Sequence, residues 1–300
     1  MNYKTIEIES RSPSYAALNP ASGKIYITYE YAGLILIIDT KKGETENKIS
    51  ADFPTDIVIS PSLNKVYVTS ASGVYEIDGS TNECKLISKK PTVPSRGLSI
   101  SNYPSSLSGW HSIAVDSTTN KIYVSNYDNE SISVHIDNES DRLEDTISFK
   151  QSKWNLLSGM WTHPSIVLVN EDLGVLYVKA DVTVSAGGGG GTSEQLLVVD
   201  LNSKKIIKRR TIPPTKTQLG FAINRTDNTV FMIKYSQKAI VKYDSYLEEV
   251  LQTTVFDNAT FFKRIFADHS HFAEVIVINH VTNKVYTSDS KLGLLYEIDG

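Results

Sequence analysis

The residues that could carry chemistry are few and scattered. Six histidines are present, and four of them, His111, His163, His269 and His271, lie in or beside segments rich in tryptophan and phenylalanine. A histidine near a carboxylate can move a proton or hold a metal ion. The candidate carboxylates are Glu274 and Asp56. His269-Ser270-His271 is a close histidine pair and a weak metal candidate, because no further ligands at defined spacing accompany it. A nucleophile is hard to find. There is no Gly-x-Ser-x-Gly elbow, and Cys84 sits in a strand-like run without an evident base. The glycine run Gly187–Gly191 lacks the Lys-Ser/Thr that follows a phosphate loop. It reads as the pliable tip of a β-hairpin.

What must position these residues is a repeat. NPASGKIY, SPSLNKVY, DSTTNKIY, NEDLGVLY, NRTDNTVF and NHVTNKVY begin at Asn19, Ser60, Asp116, Asn170, Asn224 and Asn279. Seven residues later in each copy stands an aromatic: Tyr26, Tyr67, Tyr123, Tyr177, Phe231 and Tyr286. Three residues before each aromatic is Gly23, Asn64, Asn120, Gly174, Asn228 or Asn283. Only glycine and asparagine occur there, the residues that accept a left-handed backbone in a tight turn. A second apolar run then ends in Asp39, Asp78, Asp137, Asp200, Asp244 or Asp299. These carboxylates read as caps on the turn to an outer strand, not as a metal ring.

The pattern predicts an all-β, six-bladed β-propeller of four-stranded antiparallel blades. The whole chain, 1–300, is read as one propeller domain. Its repeats span about 11–50, 51–90, 108–150, 162–213, 216–256 and 271–300 plus 1–9. The last copy runs out after its third strand, and Tyr3–Ile8 is expected to supply the fourth and close the ring. Closure leaves no sheet edge open.

The runs KIYIT, KVYVTS and KIYVSN, followed by VYEIDGSTN or SVHIDNES, resemble the YVTN-type β-propeller repeat of surface-layer and periplasmic proteins. The resemblance covers nearly the whole chain. It implies an extracytoplasmic or cell-surface location and says little about molecular role. Six copies stand where relatives commonly carry seven, and VLYVKA and TVFMIK depart from the motif in copies four and five. Met1–Ser10 lacks the apolar core of a secretory signal.

Extra residues locate the working face. The connections from Asp78 to Asp116, Asp137 to Asn170 and Asp244 to Asn279 are long, as is the stretch from Tyr177 to Asp200. In a propeller all four emerge on one rim. They carry Tyr103, Trp110, His111, Trp154, Trp161, His163, Phe261, Phe262, His271 and Glu274, the expected binding residues. Aromatics in loops bury one another or wait for a partner. Aligning the inner strands places His111 and Glu274 at equivalent positions of opposite blades, with Asp56 beside that position in another.

The expected function is therefore a non-enzymatic binding scaffold. Its partner is a protein, a glycan or a small molecule at the long-loop face. The alternative is a hydrolase or lyase at the channel mouth, of the lactonase or streptogramin-lyase kind, using His111 and Glu274. That alternative rests on analogy of fold. No cofactor is expected. The net charge of −4 gives no basic face for nucleic acid; Lys204, Lys205, Lys208, Arg209 and Arg210 read as a charged outer edge. No apolar run reaches the length of a membrane span. One cysteine excludes an internal disulfide.

Overall fold

The computed structural model describes residues 14–89, 110–136, 143–150, 159–186, 189–212, 221–234, 239–255, 276–279, 282–289 and 294–299. Strand-forming residues and tight turns alternate through all of them, and the fold is an all-β, six-bladed β-propeller. Blade one is β1 (Tyr15–Asn19), β2 (Lys24–Tyr29), β3 (Leu34–Asp39) and β4 (Glu44–Ser50). Blade two is β5 (Asp56–Ser60), β6 (Lys65–Thr69), β7 (Gly73–Asp78) and β8 (Cys84–Lys89). Blade three is β9 (Trp110–Asp116), β10 (Lys121–Asn126), β11 (Ser131–Ile136) and β12 (Leu143–Ser148). Blade four is β13 (Gly159–Asn170), β14 (Val175–Ala186), β15 (Gly189–Asp200) and β16 (Lys205–Ile212). Blade five is β17 (Phe221–Asn224), β18 (Thr229–Lys234), β19 (Ala239–Tyr243) and β20 (Val250–Val255). Blade six is β21 (Ile276–Asn279), β22 (Lys284–Asp289) and β23 (Leu294–Asp299), three strands among the described residues. The closing strand expected at Tyr3–Ile8 lies outside the described residues. No helix of the described residues is long and apolar enough to cross a membrane.

Each sheet is a meander with antiparallel neighbours. Burial follows from position in the sheet. The middle strands are closed on both faces, so β3 (LILIID) is buried at four consecutive positions. The outer strand β4 alternates exposed and half-buried (ETENKIS) because one face meets solvent. The chain divides into two compact units, one of residues 1–151 with Thr162–Val167, the other of Ser152–Trp161 with Leu168–Gly300.

In the first unit, Tyr26, Ile35, Ile37 and Ala51 of blade one pack against Ile57, Val66, Val68 and Ile77 of blade two. Tyr67, Val74 and Ile87 then pack on Ile113, Val115, Ile122 and Val124 of blade three. In the second unit, Phe231, Ile233 and Ile240 of blade five meet Ile276 and Val285 of blade six. The repeat aromatics Tyr26, Tyr67, Tyr123, Tyr177 and Phe231 are all buried. Tyr26, Tyr67 and Phe231 pack between neighbouring blades, which accounts for their fixed distance from the turn.

The turn expectation holds at every copy. Gly23, Asn64, Asn120, Gly174, Asn228 and Asn283 all have φ between 51° and 71°, in the left-handed region that disfavours other side chains. The asparagines do a second job. Asn19 Nδ2 donates to Asn64 Oδ1 at 2.8 Å, Asn170 Nδ2 to Asn228 Oδ1 at 2.9 Å and Asn224 Nδ2 to Asn283 Oδ1 at 2.7 Å. The first residue of one copy thus latches onto the turn of the next. The latch needs asparagine at both ends. Ser60 is too short and its buried hydroxyl has no hydrogen-bond partner. Asp116 faces a copy whose turn residue is Gly174, and it bonds Thr118 and Thr119 in its own turn instead.

The aspartates ending the third strands cap turns, as the sequence predicts. Asp39 Oδ1 accepts from the amides of Lys41 and Lys42, and Asp78 Oδ1 from those of Ser80 and Thr81. Asp200 accepts from Ser203 and Asp244 from Tyr246 and Glu249. Backbone donors lower the Asp39 and Asp78 pKa values. Asp299 differs: it pairs with Lys284. Asp137 lies outside the described residues.

The glycine run sits in the expected β-hairpin, and the ladder reaches into it. Gly189, Gly190 and Gly191 are rungs of a ladder, opposite Ala186, Ser185 and Val184. The long β14–β15 register extends the hairpin through them, and residues 187–188 alone separate the strands.

Candidate functional site

Of the residues singled out in the sequence, Asp56, Trp161 and His163 have described side chains. Trp110 and His111 fall in β9, but only their backbone is described. Tyr103, Trp154, Phe261, Phe262, His269, His271 and Glu274 lie outside the described residues, and so does the pairing of His111 with Glu274. Among the described residues, no group of three or more His, Cys, Asp or Glu side chains could hold a metal ion.

His163 stands on β13, the inner strand of blade four. Its ring stacks on Tyr127 with centroids 4.8 Å apart and planes 21° from parallel. Nδ1 lies 2.9 Å from the Tyr127 carbonyl oxygen. A carbonyl only accepts, so Nδ1 carries a proton and donates it to this bond. The ring is thereby held at both its face and its edge. Trp161 is two residues earlier on the same strand, so strand alternation sends it to the same side as His163. It is half-buried, and its six-membered ring packs over Gly159, where a Cβ would approach within 3.1 Å.

The loop beneath this pair is Tyr127–Glu130, the turn from β10 to β11. Glu130 has φ 51°. The equivalent residue of blade one is Gly33, with φ 61°. The two turns share their bonds: Gly33 N–H donates to Glu30 O, and Glu130 N–H to Tyr127 O, each at 3.3 Å. A glutamate in a left-handed position costs about 1–2 kcal/mol. Its side chain offsets this cost, because Glu130 Oε2 accepts the Thr162 amide at 3.0 Å. Strain of this kind persists where surrounding structure enforces it. Here the turn of blade three and the inner strand of blade four are tied by Glu130–Thr162 and Tyr127–His163 together.

Sequence reasoning missed Tyr127 and Glu130. The signal was present in the repeat alignment: a glutamate occupies a position that blade one fills with glycine.

Asp56 opens β5 and is committed to structure. Oδ1 accepts the Ile57 amide at 2.8 Å, and Oδ2 accepts the Ile113 amide of blade three at 3.1 Å. The Ser112 hydroxyl also bonds it. Ser112 Oγ in turn accepts the Val167 amide of blade four at 3.3 Å, and Ser125 Oγ reaches the carbonyls of Ser112 and Ser165 at 3.3 Å. A polar rail thus crosses the inner strands β5, β9 and β13. Asp56 retains some solvent exposure as a residue, but its carboxyl is enclosed. Burial raises its pKa to about 6, against the lowering effect of Ser112, Ile113 and Ile57. Cys84 is pushed up to about 11 by burial, which leaves it a neutral thiol.

The arrangement can hold a ring-shaped ligand against aromatic faces and offer polar ring nitrogens at its rim. Around these residues the described chain supplies no activated nucleophile. No family model matches the sequence, and no curated protein matches it. The fold is similar to that of a chain titled Kuenenia stuttgartiensis Hydrazine Synthase, with a TM-score of 0.56 and 10% sequence identity over 100% of this chain and 99% of that one. At that identity the likeness is one of fold.

Proposed function

We propose that the protein is a non-enzymatic binding scaffold that holds a flat ligand against the Tyr127–His163 stack. The observation that carries this reading is the braced Tyr127–His163 stack with Trp161 one pleat away. Aromatic faces beside a fixed polar ring suit a ligand with an apolar ring face and a hydroxyl rim, which is the chemistry of a saccharide. The test is a glycan array, followed by calorimetric titration of any hit. Joint replacement of Trp161 and His163 by alanine is expected to abolish binding while the fold survives. A ligand that binds the double variant as well as the parent would defeat this reading.

We also infer kinship with the YVTN-type propellers and, with it, a cell-surface setting. The repeated KIYIT and KVYVT strands after left-handed turns support this.

A second reading is a hydrolase or lyase that uses His111 and Glu274 for acid–base catalysis. The pKa of about 6 at Asp56 favours it, whereas the use of both Asp56 oxygens by backbone amides weighs against it.

A further inference from the structure

Asn224-Arg225-Thr226 is an Asn-x-Thr sequence, the acceptor pattern for N-linked glycosylation. Such a pattern ordinarily marks an open surface loop. Here only two of its three residues are open. Arg225 and Thr226 are exposed in the turn after β17, whereas Asn224 is 0% exposed. Both polar atoms of its side chain are in use inside the protein. Nδ2 donates to Asn283 Oδ1 at 2.7 Å, and Oδ1 accepts the Thr226 amide at 3.1 Å.

The coincidence of latch and acceptor belongs to this copy. Asn19 is followed by Pro20 and Ala21, and Asn170 by Glu171 and Asp172. Neither of these latching asparagines has a hydroxyl residue two places on, so neither can be an acceptor. In copy five the carboxamide that fastens blade five to blade six is also the group that an oligosaccharide transferase would take.

We propose that Asn224 is a glycan acceptor only before the chain folds, and that a glycan there and the Asn224–Asn283 bond exclude each other. The donor is an oligosaccharide carried on a lipid diphosphate. In the transfer Nδ2 forms a bond to the anomeric carbon and gives up one proton. The bond from that carbon to the diphosphate oxygen breaks, and the lipid diphosphate leaves with the bonding pair. The product keeps one N–H, but a sugar ring now hangs directly on a nitrogen of a fully buried side chain. Protein interiors have few voids larger than a water molecule, so the modified side chain must swing out of its turn. Asn283 then loses this donor, and the Thr226 amide loses its acceptor. In the folded chain the block runs the other way: Thr226 is exposed, yet the nitrogen to be modified is enclosed. Folding and modification compete for one atom. The proposal is independent of the Tyr127–His163 site.

The test expresses the full chain behind a cleavable secretory signal in a glycosylating eukaryotic cell line. Glycopeptide mass spectrometry then reads Asn224 in the secreted and the cell-retained protein. Glycan is expected at Asn224 in the retained fraction, with occupancy about tenfold or more lower in the secreted one, because chains that fail to fold are held back and degraded. Thr226→Val removes the hydroxyl that the transferase requires and keeps the amide that Asn224 accepts. Its secreted yield should rise several-fold, while its melting temperature matches the parent's when both are made without a transferase. Secreted protein that carries glycan at Asn224 and melts cooperatively would overturn the proposal. Asn224 unmodified in both fractions would overturn it equally, since the acceptor would then be closed even before folding. The occupancy reading uses the parent chain alone and stands even where the variant folds poorly.

Discussion

Asn224 reaches from blade five to blade six and donates a 2.7 Å hydrogen bond to Asn283, a residue held at φ 52°. Asn224 is fully buried, and its own Oδ1 accepts the Thr226 amide at 3.1 Å. One side chain therefore shapes its own turn and fastens the next blade. Asn224→Ala is expected to cost about 1–3 kcal/mol, because a buried amide bond is lost and a turn donor is left open. Chemical denaturation measures it, and a double-mutant cycle with Asn283→Ala should show coupling. Additive losses would mean that the latch is incidental.

Ser60 offers the converse test. It stands where copies one, four and five carry a latching asparagine, and its buried hydroxyl has no partner. Asn120 waits at the receiving position with φ 56°. Ser60→Asn is expected to raise stability by about 1 kcal/mol. A lower melting temperature would show that blades two and three stand differently from the latched pairs.

Turn chemistry separates from side-chain chemistry at Gly174. Nothing lies within 4 Å of the position its Cβ would take, yet its φ is 61°. Gly174→Ala should therefore cost about 1–2 kcal/mol through backbone conformation alone. Gly174→Asn should cost less, because asparagine tolerates a left-handed backbone better than alanine does. Equal melting curves for the alanine and asparagine variants would contradict this account.

Asp56 sets a pH dependence of unusual sign. A carboxyl in an unfolded chain titrates near 3.9, whereas burial moves Asp56 to about 6. Between those values the folded protein holds a proton that the unfolded chain has released, so this group's contribution to stability falls as pH rises from about 4 to about 6. Paired surface aspartates such as Asp39, with lowered pKa values, act in the opposite direction at lower pH. Carbon-detected NMR titration should place the Asp56 midpoint near 6. In Asp56→Asn the corresponding segment of the stability profile should flatten. An unchanged profile would mean that the carboxyl is better hydrated than its surroundings indicate.

Glu130→Gly relaxes a strained turn and removes the tie to Thr162 in one step. It should leave overall stability nearly unchanged, since about 1–2 kcal/mol of strain is exchanged for a charge-assisted bond of similar size. Ligand affinity at the Trp161–His163 platform should fall nonetheless, because the stack loses its brace. Titration of the ligand found for the parent protein checks this, and full affinity in the variant would separate Glu130 from the site.

These cases mark what could be read from sequence. Gly23, Asn64, Asn120, Gly174, Asn228 and Asn283 were legible because a left-handed turn is a local demand that few residues meet. The turn role of Asp39 and Asp78 was legible for the same reason. The Tyr127–His163 stack was not, since its partners come from different blades, and the spacing between them depends on how two sheets face each other. Trp161 and His163 are legible as members of a long aromatic-rich connection, whereas their contact with the Tyr127–Glu130 turn is not. The β-hairpin around the glycine run was legible, whereas the reach of its ladder is set by the register with Val184–Ala186.

The asparagine latch makes the order of the copies matter. Copies one, four and five each carry half of a fastening whose other half is encoded in the next copy. Exchanging copies three and five would present Asp116 and Asn224 to turns they do not now meet. Recombination between such similar segments would yield chains with intact strands and mismatched junctions. Mutations at Asn19, Asn170 or Asn224 are accordingly felt one copy downstream, and the gene would drift in neighbouring pairs rather than repeat by repeat.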